Sequence, residues 1–230
     1  MTQYHCKCLT TETDDLIAYW PLWEASGDAA EDISGHNSHG LYTAVTLGQP
    51  GIGDGKTCPS FDGANSFVNI YSDELERNFD PAEFTFLIWL KVANEAVWSD
   101  ATQRMAMSLR VDSSTYARIG KSTTAANLFG ALFSTGAQSI NTTLNSGVQF
   151  IPMVMTASAS GNFFRLYRRG ILRLSIAHPG AWVGAISPTG CCIGATTTTP
   201  ASPWSGSLAH AAIWSKALSD AHAAYLSRYW

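Results

Sequence analysis

Eighteen acidic side chains are the first place to look for chemistry. Glycoside hydrolysis, the commonest reaction built from carboxylates alone, needs two of them facing each other across a cleft. Every Asp and Glu except Asp220 lies at or before Asp112, so residues 115–214 carry none. Asp14–Asp15, Glu31–Asp32 and Asp73–Glu74 are adjacent pairs, and neighbours along a strand point to opposite faces. They read as solvated loop charges. No Gly-x-Ser-x-Gly elbow presents a serine nucleophile. His5-Cys6-Lys7-Cys8 has the ligand types of half a zinc site, and no second half at zinc-type spacing follows. Five cysteines cannot all pair within one chain, and they read as small buried thiols. The chain reads as a non-enzyme to which these residues assign no metal site.

Binding residues are better represented. Trp98 and Trp182 fall in predicted loops among Ser, Asp, Gly and Pro, and a loop indole offers a face on which a sugar ring stacks, so both are candidate carbohydrate-binding residues. Arg165, Arg168, Arg169 and Arg173 cluster about one predicted hairpin; Arg168 and Arg169 at its turn are candidates for contact with an acidic patch on a protein partner. A formal charge of −4 argues against nucleic acid. No apolar run reaches membrane length, and Met1 to Thr13 lacks the apolar core of a signal peptide, so a genuine start implies synthesis in a cytoplasm.

The elements that must position these residues are short strands. Residues 16–22, 41–47, 60–63, 67–70, 83–92, 104–111, 115–120, 126–133, 148–157, 162–167, 171–176, 191–195 and 208–214 read as strands bounded by turn residues. In residues 83–92, Phe84, Phe86, Ile88 and Leu90 share one wholly apolar face that must be core; Thr85, Leu87, Trp89 and Lys91 share a half-apolar one. Ser219 stands where a helix N-cap belongs, its hydroxyl placed to accept from Ala221 or His222, with Asp220 in the first turn and Leu218 and Ala223 as a staple. The reading is all-β: a two-sheet antiparallel jelly-roll sandwich with a short C-terminal helix. An N-terminal arm spans residues 1–15 and a single domain residues 16–230.

The order of these motifs resembles laminin G-like, concanavalin A-like jelly-roll domains of the lectin and glucanase superfamily. The resemblance lies in residues 16–22, the Asp32-to-Gly40 loop, Ser60-Phe61-Asp62-Gly63 with Phe67 to Ile70, which it implies to be a hairpin, the strand through Trp89, Arg168-Arg169-Gly170 at the place of a two-residue hairpin turn, and Gly206, Leu208, Ile213, Trp214 and Ala217-Leu218-Ser219. It implies that Trp204 is core, where such domains carry a buried Phe. It also points to calcium as the one cofactor to consider, with Asp32 and Asn37 as ligands, although Ala209-His210 stand where the family writes Asp-Glu. Laminarinase-type relatives place Glu-x-Asp-x-x-Glu on a central strand, and no such run exists here, which leaves a glycoside hydrolase as the weakest alternative.

Between Ser122 and Phe164, and again between Leu174 and Ser215, there is no charged residue. Charge depletion is a mark of interface cores. In the closing strand, where the family alternates charged side chains, this chain has Ala209, His210 and Ala212, which makes Ala209 and Ala212 candidate interface residues. The leading expectation is a virion (phage) surface protein, a capsid decoration or attachment subunit whose partners are capsid or tail subunits. The alternative is an extracellular, carbohydrate-binding lectin-like module with a glycan partner.

Overall fold

The computed structural model describes residues 4–123, 127–133, 137–143, 147–180 and 182–229, with the side chains of 127–133 and 137–143 left out of the account. In chain order the elements are α1 (Tyr4–Thr10), β1 (Leu16–Trp20), β2 (Ala29–Ala30), β3 (Gly40–Thr43), β4 (Thr46–Pro50), β5 (Thr57–Asp62), β6 (Phe67–Asn69), α2 (Asp73–Asn78), β7 (Glu83–Val92), α3 (Ala96–Ser99) and β8 (Arg104–Arg110). There follow β9 (Tyr116–Lys121), β10 (Asn127–Phe133), β11 (Ala137–Thr143), β12 (Ile151–Ser158), β13 (Phe163–Arg168), β14 (Ile171–Ile176), β15 (Cys192–Ile193), β16 (Ser205–Trp214) and α4 (Asp220–Leu226). The first sheet runs β14-β13-β12-β7-β16-β5-β4, with β1 also on β16; the second runs β11-β10-β9-β8-β15-β6-β3-β2. Every pairing is antiparallel. The chain is a two-sheet jelly-roll sandwich.

The predicted apolar face of β7 fills the space between the sheets: Phe84, Phe86, Ile88 and Leu90 are buried there with Trp204 and Ile213. Its other face is buried as well. Leu87 and Trp89 belong to a second core on the outer side of the first sheet, closed by Tyr4 and Cys8 of α1 and by Ala223 and Leu226 of α4. The N-terminal arm is therefore part of the domain's packing. Tyr4 sets its ring edge-on to Trp89 at 5.0 Å and donates its hydroxyl hydrogen to the Leu226 carbonyl at 2.5 Å.

Two expected elements divide differently. Residues 41–47 form β3 and β4, which lie in opposite sheets, because Ala44 between them takes a left-handed φ of 52° and turns the chain across the sandwich. Residues 60–70 are likewise no hairpin: β5 and β6 belong to different sheets. Asp62 holds that crossing, its Oδ1 accepting from the amides of Ala64, Asn65 and Ser66 at 2.8, 2.8 and 3.0 Å. These bonds to the ionised form draw its pKa down to about 2 against the opposing effect of burial.

The β13–β14 turn follows expectation. Arg169 and Gly170 have φ of 54° and 75°, both left-handed, as a two-residue hairpin matched to strand twist requires. A Cβ on Gly170 would stand 2.6 Å from Arg228 Cγ. Gly170→Ala is expected to lower stability by about 1–3 kcal/mol through the backbone strain and to push Arg228 aside. A urea midpoint unchanged from the parent would refute this.

Candidate functional site

The sequence-predicted binding residues do not converge. Trp98 on α3 is 3% exposed and its indole N–H donates to the Gly147 carbonyl at 3.0 Å; Trp182 is 5% exposed and leans on Phe79 with ring centroids 5.5 Å apart. Both pack into the core between the sheets. A loop indole buries a large apolar area when it folds inward, and these two offer no open face to a sugar. Ala209 and Ala212 are buried in the second core, beneath the chain's own helices rather than a partner subunit. Asp32 is spent on its own loop: Oδ1 accepts from the amides of Tyr19 (2.8 Å) and Ser34 (2.9 Å), and Oδ2 from Ser34 Oγ and the Ser38 amide (both 2.9 Å). Four donors fill a carboxylate's lone-pair positions, leaving none directed at calcium. Asn37 serves as a left-handed loop residue with φ 56°. Among the described residues no group of three or more His, Cys, Asp or Glu could hold a metal ion, and no helix is long and apolar enough to cross a membrane.

One polar constellation was not foreseen. His210 sits at a bulge in β16 with φ 48°. Its Nε2 lies 3.0 Å from Asp54 Oδ2 and its Nδ1 2.7 Å from the Tyr19 hydroxyl. Tyr19 and His210 are buried and the Asp54 side chain is closed to solvent. Burial pulls the His210 pKa below its ordinary value against the pull of Asp54, while His210 and nearby amides hold the Asp54 carboxyl below its own despite burial. The consistent assignment is a neutral imidazole, Nε2–H donating to Asp54 and Tyr19 donating to Nδ1. Cys8, beside Tyr19, has its thiol pushed up to about 12, by burial first, so it is no nucleophile at neutral pH. Sealed inside the second core, this Asp-His-Tyr chain is a structural lock. A long-range pairing of this kind leaves no local motif in the sequence; the one signal was a histidine inside an apolar strand.

The surface tells more. Among residues whose side chains are described, the exposed aromatics are Tyr225 and Tyr229, at 41% and 45%. Tyr225 lies on α4 and Tyr229 three residues beyond its end. Ser219 caps it, Oγ accepting from the His222 amide at 3.2 Å, as its sequence position implied. Asp220 ties it to β13, its Oδ1 accepting from Arg165 Nη1 at 2.6 Å and the Tyr167 hydroxyl at 2.7 Å. At the other end the Gly170 amide donates to the Ser227 carbonyl at 2.8 Å. These ties set the end of α4 against the β13–β14 turn. Lys7 Nζ lies 4.7 Å from the Tyr225 ring centroid, and the Arg169 guanidinium 5.2 Å from that of Tyr229. Arg228 lies against Gly170, and Arg173 is exposed on β14. Burial is the main cause that lowers two pKa values here: that of Arg168 falls to about 10, with Arg173 and Arg169 adding to it, and that of Lys7 falls as well, opposed by Cys8 and aided by Arg228. Arg168 and Arg169, singled out from sequence, thus border this rim, with Arg168 buried and Arg169 half-buried. The sequence reading does not single out these tyrosines: Tyr225 falls within the predicted C-terminal helix and Tyr229 beyond the helix as it forms.

The fold is of a binding-module type. A family model described as the Concanavalin A-like lectin/glucanases superfamily matches residues 62–224, and the chain belongs to that family. No curated protein sequence matches it. Among solved structures it is similar to domain 4 of AbnA, a GH43 extracellular arabinanase from Geobacillus stearothermophilus, in complex with arabinotriose: TM-score 0.67, 14% identity, 93% of this chain and 98% of that one. The receptor binding domain of botulinum neurotoxin mosaic serotype C/D gives TM-score 0.71 and 11% identity over 94% of this chain, which spans about half (51%) of that domain. The CBM40 of the Ruminococcus gnavus IT-sialidase gives TM-score 0.53 and 13% identity over 64% of this chain and 84% of that one. At these identities the likeness is one of fold.

Proposed function

We propose that the protein is a non-catalytic, lectin-class module that binds a glycan at the α4 rim. The observation that carries this is the pair of exposed tyrosines, Tyr225 on α4 and Tyr229 three residues past its end, beside a helix anchored at both ends. The names of the structural neighbours support it, since they include a domain holding arabinotriose, a carbohydrate-binding module and a toxin receptor-binding domain. The acid-free stretch from residue 113 to 219 supports the absence of hydrolysis. An extracellular place of work accords with this reading.

The test is a glycan array followed by titration of any hit against Tyr225→Ala and Tyr229→Ala. Each variant is expected to lose roughly tenfold in affinity, the worth of one stacked ring. A protein that binds nothing on an array of neutral and acidic glycans, or variants that bind as the parent does, would sink the proposal.

A second reading, a subunit on the surface of a phage particle bound to capsid or tail proteins, retains one specific observation. Strand β14 ends the first sheet's ladder and exposes Ile171, Leu172 and Leu174, and an open apolar edge is a template for pairing. Co-sedimentation of the protein with particles, lost on Leu172→Lys, would favour it over the lectin.

A further inference from the structure

The helix that closes the second core lies against the buried histidine. We propose that α1 is an acid-released strap: a proton taken up by His210 detaches residues 4–10 from the sandwich while the linker after them stays bound, baring the outer side of the first sheet at Tyr19 and Trp89.

The hold on the N-terminal arm changes character at Thr11. From there on the linker is fastened by polar contacts: Trp214 Nε1–H donates to the Thr11 carbonyl at 2.8 Å, and Lys216 Nζ pairs with Glu12 at 3.0 Å and Asp15 at 3.2 Å. His222 Nδ1 of α4 lies 3.1 Å from Glu12, a contact that a proton on that imidazole turns into an ion pair. The helix itself is held through Tyr4 and Cys8, its two buried side chains, with Leu9 partly buried beside them and Lys7 over the Tyr225 ring. The sheet does not lean on it, since β7 keeps its ladders to β12 and β16 when α1 leaves. An element placed in this way opens on its own, ahead of global unfolding.

What α1 seals is an imidazole in a poor place for charge. The Tyr4 ring stands 4.9 Å from that of His210 at 60°, and the Tyr19 ring stacks on it at 6.2 Å and 22°. The His210 amide donates to the Pro21 carbonyl at 3.1 Å, which fixes the residue at its bulge. The titratable groups about the ring are Asp54 from the loop before β5, Tyr19 from β1, and Tyr4, His5 and Cys8 from α1, with Cys58 of β5 near Asp54. Asp54 favours a proton on the ring; burial opposes it and prevails, and His5 adds to the opposition. Nδ1 is already taken, because it accepts the Tyr19 hydroxyl hydrogen, and a second proton there sets two donors against each other across 2.7 Å. Tyr19 must then turn its hydrogen onto the Cys8 thiol, a weak acceptor carried by α1. Lifting α1 removes the Tyr4 cover and admits water to the ring, where the proton is easily borne. By linkage, each pH unit below about 6.5 therefore favours the open form by up to about tenfold.

The experiment is hydrogen–deuterium exchange of the full chain, read peptide by peptide in steps from about pH 7.5 to about pH 4.5, with rates corrected for the intrinsic effect of pH. Amides of residues 4–10 should exchange roughly tenfold or more faster at about pH 5 than at about pH 7.5, with an onset near pH 6.5. Peptides of β7, β12 and the linker should hold their protection over the same range. His210→Gln, checked by thermal melt, keeps hydrogen-bonding groups beside Asp54 and Tyr19 but does not titrate, and its arm should exchange at one rate throughout. Tyr4→Ala should loosen the arm already at about pH 7.5. Protection of residues 4–10 that is the same at every pH would overturn the strap. Loss of protection in β7 together with α1 would overturn it in favour of global unfolding. An onset in the parent only below about pH 5 would place the release on carboxylates, as would an acid response kept by His210→Gln, and either result would end the role assigned to His210. The parent's onset and its β7 control decide the matter even where His210→Gln fails to fold.

Discussion

Substituting alanine for Gly206 will cost the fold about 3–6 kcal/mol, the sum of a backbone held where only glycine is at ease and a clash that cannot relax. Gly206 lies in β16 between Val92 of β7 and Phe61 of β5, with φ 136°. A Cβ there would sit 2.1 Å from the Lys91 carbonyl oxygen and 2.7 Å from both the Val92 carbonyl carbon and the Ala93 nitrogen. All three are main-chain atoms of the central strand or its immediate continuation, and the Ala93 amide is itself committed to the Ser205 carbonyl at 3.0 Å. No rotamer change makes room; β7 and β16 must separate. Gly27 supplies the control, because its φ of 101° is also left-handed but nothing lies within 4 Å of its missing Cβ. Gly27→Ala should show the backbone cost alone. In thermal melts the Gly206 variant should fall by about 10 °C or more, well beyond the Gly27 variant. Equal losses in the two would show that the strand pair tolerates the methyl group.

Much of this architecture is legible because it is written in short-range chemistry. The bounds of β7, the left-handed turn at Arg169-Gly170 and the Ser219 cap each depend on residue types within a few positions of one another. The arrangement of the closing strand does not. Alternation sends Ala209 and Ala212 to opposite faces, since they are three residues apart. In the structure Ala209 pairs with Trp89 and Ala212 with Leu87, so three steps on β16 match two on β7. The extra residue at the bulge brings both alanines to one face, and that face is covered. What covers it was equally hidden. The seven residues of α1 are too few for helical periodicity to declare itself, and their value lies in Tyr4 and Cys8 reaching residues more than eighty positions away. The charge-free closing strand, read from sequence as a surface for another subunit, is thus a surface for the chain's own ends. The same limit explains Trp98 and Trp182: sequence shows that they lie between strands, and only the packing of the sandwich shows that their loops fold inward.

The bulge also fixes how stability will respond to acid. His210 reaches Asp54 and Tyr19 from it, and removing the imidazole leaves a buried carboxylate and a buried hydroxyl each short of a partner. Breaking a buried pair on one side typically costs about 3–5 kcal/mol, and His210→Ala is expected to fall in that range by urea denaturation at neutral pH. The sign of the pH dependence follows from the direction of the two shifts. His210 has its folded pKa lowered, so below the ordinary histidine value of about 6.5 the unfolded chain binds a proton that the folded one resists. Its contribution is fully present above that pH and is lost as the pH falls below it. Asp54 has its folded pKa lowered as well, so its contribution is present above the ordinary aspartate value of about 3.9 and is lost as the pH falls through the folded one. The two act in succession: an upper limb beginning near pH 6.5 belongs to the histidine, and a lower one near pH 4 to the carboxylate. His210→Gln separates charge from shape, because an amide can both accept from Tyr19 and donate to Asp54 but does not titrate. This variant should retain more of the neutral-pH stability than His210→Ala and should lose the upper limb. A stability curve for His210→Gln that still declines below pH 6.5 with the parent's slope would assign that limb to another group and end the case for a neutral, buried His210.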